Sequence, residues 1–314
     1  MLKFGRNFRL KVKIGHIENE QTKIRKVYDE EFDILYPLTI NFQISRAQWS
    51  SFNSAHFELF NLNATTRAKM YKDRYSFNKV IRVEFYAGYG TDTQNLPLCY
   101  AGEVYECFSN KTGEDPNIKT QISCMTGLFS HRTCVSNRVF AAGTEPLEII
   151  QTLCNDAGMQ LGNSDSDIIK SLKPLDEDTP FVGNSLEQIK KYVSGNMYID
   201  SSMDNDKVWI LGKSDVRPAG YYLKLNSEGL LGTPKRRETC LSVDMLFEPR
   251  LVESQAIEIE SRTAAEFNGI YKIVGFSHQG TISGAIGGRC TTNALLYLGE
   301  GNIWNFATVN QESV

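Results

Sequence analysis

Three absences narrow what this chain can be. It contains no Cys-x-x-Cys pair, and its seven cysteines (Cys99, Cys107, Cys124, Cys134, Cys154, Cys240 and Cys290) are odd in number and widely scattered. Such spacing fits neither a zinc site nor a disulfide framework, so the thiols are expected to be reduced and buried as small hydrophobes. No apolar run approaches the roughly eighteen residues of a membrane span, and none of signal-peptide length follows Leu2, Lys3, Arg6 and Arg9. No membrane insertion is therefore expected, and synthesis is expected to end in a cytoplasm. Finally, the four histidines stand apart at positions 16, 56, 131 and 278, with no His-Glu-x-x-His, Gly-x-Ser-x-Gly or phosphate-loop motif. No catalytic residue, metal site or cofactor is assigned.

What is present is ordinary globular material with uneven charge. The 314 residues are 41% hydrophobic and 23% charged, which excludes wholesale disorder and allows two or three compact units. Net charge is −3, but Met1 to Arg82 holds 15 Lys and Arg against 8 Asp and Glu, a balance of +7 that leaves −10 for the remainder. Such asymmetry marks either a nucleic-acid face or unlike surfaces that pair in an assembly. No nucleic-acid motif accompanies it.

The stretch from Gly229 to Leu298 organises the rest. Its pulses LSVDMLF, QAIEIES, GIYKIVGFSH and CTTNALLYL alternate apolar and polar residues between turn signals, as half-buried strands do. The front of the chain alternates as well. Phe8, Leu10, Val12 and Ile14 share one strand face, with Arg9, Lys11 and Lys13 on the other. A polar link ENEQTK leads to an extended region from Ile24 to Ser45, interrupted at Pro37 as at an edge, bulge or strand start. Ala55, Phe57 and Leu59 predict a strand, and Asn63 or Thr65 can cap a short helix through Lys72. Val80 to Tyr89 predicts a strand with Ile81, Val83 and Phe85 inward and Arg82 and Glu84 outward. LCYAGEVYECFSN and NIKTQISCMTG add another pair around KTGEDP.

Around Ala141 the texture changes. A helix capped by Thr144, with Pro146 in its first turn and Gly158 as its stop, presents Leu147, Ile150, Leu153, Cys154 and Ala157 as an apolar stripe. A second helix starts at Ser185, whose spacing to Gln188 is that of a capping box, and ends at Gly195. NMYID and KVWILG flank an Asp-Asn-Asp turn. The fold class is therefore mainly β with a small α/β insert. The units are 1–140, a first β-barrel-like domain; 141–213, the insert; 214–300, a second β-barrel-like domain; and 301–314, a tail that loses its pattern after Trp304 and Phe306.

Several residues invite chemistry. Asp165, Asp167, Asp176, Glu177 and Asp178 are dense, but lack the glycine and terminal glutamate of an EF-hand and fit a solvated acidic loop. Glu103 and Glu106, three apart on a strand pattern, are expected on opposite faces, which argues against a glycosidase pair. His278 fits a structural role in a turn or ladder. Gly284 to Gly288 links strands, so it is expected to be a flexible loop without a nucleotide role. A carbohydrate-binding module would need Trp49, Trp209 and Trp304 exposed. The basic rows Arg9, Lys11, Lys13 and Arg67, Lys69 fit either a solvated face or a subunit contact.

Gly232-Thr233-Pro234, Leu246 to Leu251, Asn268 to Val274 and His278 to Gly280 stand in an order that resembles the C-terminal barrel of phage baseplate hub proteins. FELFNLNATTRAKMY, the Pro146 helix and FVGNSLEQIKKYVS are similar to earlier parts of the same family, the hubs of Mu-like and T4-like contractile phages. The chain departs from the family after its His-x-Gly turn, where AIGGRCTTNALLYL replaces a polar strand end. The resemblance implies two tube-type β-barrel domains flanking the insert. It implies a structural, non-enzymatic virion protein of the tail baseplate, assembled in the host cytoplasm. It further implies a homotrimer forming a pseudo-sixfold ring between tail tube protein and central spike protein, beside other baseplate subunits, with DNA or a tape-measure protein passing through the channel. A tail-associated cell-wall hydrolase is the alternative. Under the ring expectation the contact residues are Arg9, Lys11, Lys13, Arg67, Lys69, Gly280, Ser283, Gly284 and Gly287.

Overall fold

Alternation in the first strand carries into three dimensions: Phe8, Leu10 and Val12 are wholly buried, while Arg9, Lys11 and Lys13 occupy the other face. The computed structural model describes residues 5–20, 23–47, 52–90, 92–113, 115–200, 206–212, 215–217, 221–237, 240–297 and 310–313. The first region holds β1 (Arg6–Glu20), β2 (Lys23–Leu35), β3 (Ile40–Ala47), β4 (Ser54–Phe60), α1 (Ala64–Met70), β5 (Lys79–Tyr89), β6 (Leu98–Asn110) and β7 (Lys119–Met125). The polar link ENEQTK largely extends the β1–β2 hairpin, and Pro37 sits in a turn that separates β2 from β3. These strands run antiparallel in the order β2-β1-β5-β6-β7-β4-β3. Phe85 centres their core, with the rings of Phe57, Phe42 and Phe8 at 5.0, 5.1 and 6.4 Å. Asn63 caps α1 by accepting the Thr66 N–H at 2.7 Å, which lets the helix bury Met70.

The insert begins earlier than the change of texture at Ala141. It comprises α2 (Leu128–Thr133), β8 (Val135–Phe140), α3 (Pro146–Asp156), β9 (Gln160–Leu161), α4 (Asp167–Ser171), β10 (Thr179–Asn184), α5 (Ser185–Tyr192), β11 (Met197–Asp200) and β12 (Lys207–Ile210). β8 pairs with β10 instead of the first β region, so the chain from Leu128 onward lies with the insert. Ile149, Ile150, Leu153, Ile189, Val208 and Ile210 form its own core. Both helix starts differ from expectation by one residue. Glu145 holds the cap position of α3, while the Thr144 hydroxyl donates to Ala141 O. Asn184 caps α5, accepting the Leu186 and Glu187 N–H groups, each at 3.1 Å, and Ser185 turns inward to Ser136.

The last region supplies β13 (Tyr221–Leu225), β14 (Lys235–Arg237), β15 (Cys240–Leu246), β16 (Ala256–Ile259), β17 (Gly269–Ile282), β18 (Cys290–Tyr297) and β19 (Asn310–Ser313). β17 is the element that unites the fold. Its start pairs with β16, its middle with β18, and its second half, Gly275 to Ile282, with β3 of the first region. The result, among the described residues, is one 14-stranded sheet whose main path ends in β14 on one side and β2 on the other, with β16, β13 and β19 branching from β17. The His-x-Gly segment is therefore no turn. His278 and Gly280 lie inside β17, and a Cβ on Gly280 would come 2.5 Å from Cys290 Sγ. β18, at the departure from the family pattern, alternates cleanly, with Cys290, Thr292, Ala294 and Leu296 inward.

Two β cores share this sheet. Leu223, Leu241, Val243, Ile257, Ile273, Phe276 and Leu296 build the second, whereas Phe247, Ile282 and Cys290 reach into the first. Phe247 stacks on Phe42 at 5.5 Å and on Tyr89 at 6.3 Å, and it meets the His278 ring at 5.3 Å. Truncating it opens a cavity where the two regions meet. Phe247→Ala is expected to lower stability by about 3–5 kcal/mol, read as a fall in the urea midpoint. An unchanged midpoint would mean that the two regions do not depend on this contact.

Candidate assembly surfaces and a buried junction

The basic row of β1 is answered within the chain. Register places Lys11 between Asp33 and Glu84, and Lys13 between Glu31 and Arg82. Lys11 Nζ meets Glu31 at 2.6 Å and Lys13 Nζ meets Glu84 at 2.9 Å. The Arg9 guanidinium lies 4.4 Å from the Tyr86 ring centre and donates to Gln94 at 2.7 Å. On α1, Arg67 donates to Leu62 O at 3.1 Å and Lys69 pairs with Glu30. The loop after β17 is anchored where a flexible one was expected. Ser283 bonds Thr39 at 2.6 Å and accepts the Ala285 and Ile286 N–H groups. Gly284 donates to Pro37 O at 3.0 Å and approaches Pro37 so closely that a Cβ would lie 2.5 Å from that ring. Gly287 faces open space, and Ile286 beside it is 60% exposed.

The most heavily buried charges were invisible in the sequence. Arg82 and Glu84, on the face of β5 opposite Ile81, Val83 and Phe85, are each 1% exposed: Arg82 lies against Asp206 of the insert region, and Glu84 is enclosed by Lys13, Arg82 and Tyr86. Arg82 reaches Asp206 at 3.0 Å and Glu103 at 3.5 Å, and Lys26 meets Glu103 at 2.7 Å. The remaining carboxylate oxygens accept backbone N–H groups, Gly127 on Asp206 and Leu128 on Glu103, both at 3.1 Å. Burial pushes the Glu103 carboxyl upward, but Lys26 and Arg82 outweigh it and hold the group below the usual range. A second knot ties the insert to the last region. Asp200 takes Arg46 at 3.0 Å and Arg217 at 2.6 Å, and Arg46 also donates to Cys99 O. Beside it Glu253 is wholly buried. One of its oxygens accepts from Asn53 at 3.3 Å and the other has no hydrogen-bond partner among the described residues.

None of this converges on a reaction centre. The histidines stay separate: His16 bonds Asp29, His56 Ser123, His131 Glu187 and His278 Thr292. Glu103 and Glu106 do share a face, contrary to simple alternation, because a bulge between Val104 and Glu106 shifts the register by one. Each is committed elsewhere, Glu103 to Lys26 and Arg82, Glu106 to Arg74 at 3.0 Å. Among the described residues no group of three His, Cys, Asp or Glu could hold a metal ion. Asp167 opens α4, and Asp178 accepts the Ala142 N–H at 2.9 Å. Trp209 is buried beneath Arg217, whereas Trp49, Trp304 and Phe306 lie outside the described residues. Six of the seven thiols are buried, and burial pushes those of Cys99, Cys107 and Cys154 up to about 12.

A large antiparallel β scaffold carrying a small α/β insert is a fold also found in phage tail proteins and in a type VI secretion component. It is similar to the prophage MuSo2 43 kDa tail protein from Shewanella oneidensis, at TM-score 0.54 and 10% identity, covering 92% of this chain and 98% of that one. The tail protein of Neisseria meningitidis MC58 gives TM-score 0.52 and 10% identity over 98% and 100% of the two chains. The E. coli c3393 protein, a type VI secretion component described as similar to T4 tail proteins gp27 and gp5, gives 0.55 and 11% over 84% and 75%. At these identities the likeness is one of fold. Residues 24–281 match the baseplate hub gp41 family, and the chain belongs to that family of phage tail structural proteins. No curated protein matches it in sequence.

The buried Glu253 makes stability depend on pH in a defined window. Burial raises its carboxyl from 4.5 to about 7, with Arg46 pulling the other way. Between those values the folded chain keeps a proton that the unfolded chain has released, so this group's contribution falls as pH rises and is constant above about 7. His278, lowered to about 3 by burial, acts with opposite sign over an overlapping range. The measurement is therefore a difference: Glu253→Gln is expected to gain roughly 3 kcal/mol on wild type between pH 4.5 and 7 in denaturant titrations. A constant difference across that range would show that Glu253 titrates normally.

Proposed function

We propose that this chain is a non-enzymatic hub at the centre of a tail baseplate, where three copies form a ring of pseudo-sixfold symmetry. The ring joins a sixfold tail tube to a threefold spike and leaves a channel for DNA or a tape-measure protein. The observation that carries this reading is the baseplate-hub family match over residues 24–281, on a chain that holds two β cores in one sheet. Two β units per chain give three copies six positions around an axis, which satisfies both symmetries with one kind of subunit. Tube protein, spike protein and other baseplate subunits are the partners. The described likeness of the E. coli protein to T4 gp27 and gp5 supports a contact on the spike side. The anchored loop around Ser283, Gly284 and Gly287, together with Arg67 and Lys69 on α1, supplies contacts to neighbours. The protein resides in the virion after assembly in the host cytoplasm.

Electron microscopy of the purified chain tests this directly. Threefold rings are expected, alone or on added tube or spike protein. A chain that stays monomeric at high concentration and joins neither partner overturns the reading. The same preparation is expected to leave peptidoglycan intact. Turnover that persists after the ring contacts are mutated would favour a hydrolase instead.

A further inference from the structure

Among the described residues the main path of the sheet ends in two open edges, β2 and β14, while a side branch from β17 through β16 and β13 ends in β19. At one end β2 pairs with β1 alone among the described residues; Lys23, Arg25 and Lys26 stand at its start, and its second half carries Asp29, Glu30, Glu31 and Asp33. At the other end β14 pairs with β15 alone, and its three residues, Lys235, Arg236 and Arg237, are all exposed. Open edges present unpaired backbone donors and acceptors, which makes them templates for another strand. They are usually protected by charge, and here the acidic second half of β2 complements the basic β14.

We propose that β14 of one copy adds to the free edge of β2 of the next, joining the sheets head to tail. This inference rests on the ring reading and names the surfaces that would close the ring. A contact between unlike edges is heterologous, and it covers both of these edges in every copy only when the chain of copies closes by rotation. The side-chain rows match as well. On β2, Glu31 and Asp33 fall on one face, two residues apart, as do Lys235 and Arg237 on β14. Strand β1 already places Lys11 and Lys13 opposite Asp33 and Glu31. The acidic row is thus flanked by a basic row on its inner side and an empty edge on its outer side. Lys235, Arg237 and Asp33 make no ion pair among the described residues, and Glu31 keeps one, with Lys11 at 2.6 Å. Cross-strand pairs of opposite charge stabilise a ladder, whereas like charges placed opposite one another oppose it. Backbone hydrogen bonds would supply the adhesion and the charges would select partner and register. The occupant is a second copy of this chain.

The experiment compares wild type with three variants by mass photometry and electron microscopy. Lys235→Glu with Arg237→Glu makes both edges acidic, and Glu31→Lys with Asp33→Lys makes both basic. Each is expected to weaken association by about tenfold or more. The fourfold variant, with the edges exchanged, is expected to return to within about twofold of wild type. The β14 pair has no internal ion partner to lose, so it tests the edge even if the β2 pair folds poorly. Threefold rings that are indifferent to all three variants overturn the edge pairing and leave the ring reading standing. Charge-dependent open chains without closure support the pairing and overturn the ring. A wild-type chain that remains monomeric overturns both.

Discussion

Everything in this fold hangs on one strand that has to satisfy two neighbours at once. β17 offers one edge to β18 and the other first to β16 and then to β3. Because side chains alternate with a strict period of two, a slip of one residue in β17 would turn inward-facing positions outward in both β cores together. The register is held by residues that tolerate no alternative. Gly280 admits the Cys290 side chain, and Gly275 lies against the backbone of β3, with Arg46 O 3.0 Å from where its Cβ would be. His278 is buried between Phe247 and Phe276 and hydrogen-bonded to Thr292. The two β regions therefore act as one body, although the chain runs from Ala47 at the end of β3 to Gly269 before β17 begins.

Ion pairs help to fix the insert to that body. Arg82 with Asp206 and Glu103, and Arg46 with Asp200 and Arg217, sit where three parts of the chain meet. Buried ion pairs of this kind add little net stability, since desolvation offsets much of the attraction, yet losing one partner strands the other. Their effect is on geometry: they admit a single docking pose for the insert, because any other leaves a charge unpaired.

Much of the β scaffold was legible because half-buried strands announce themselves by alternation. The Phe8 to Ile14 row, the Val80 to Tyr89 strand and the hydrophobic stripe of the Pro146 helix all fall where period and turn signals put them. What escaped has physical causes. Alternation reports two faces but not what covers the second one, so the burial of Arg82 and Glu84 and the contact of Arg82 with Asp206 left no mark in the sequence. A bulge changes the phase without any residue to mark it, which is why Glu103 and Glu106 end on the same face. β8 is short and two-sided, and its pairing with β10, more than 40 residues on, leaves no local trace; hence the insert starts before the change of texture. The shared role of β17 is likewise a long-range fact, and His-x-Gly read as a turn because glycine there serves packing instead of reversal.

The buried thiols have a consequence for chemical durability. Oxidation proceeds through the thiolate, and burial keeps Cys99, Cys107 and Cys154 protonated at any ordinary pH. With six of the seven sulfurs buried, those thiols are shielded from oxidation and from disulfide exchange. Cys240, the partly exposed exception, stands beside the basic edge strand and gives chemists a single natural handle there.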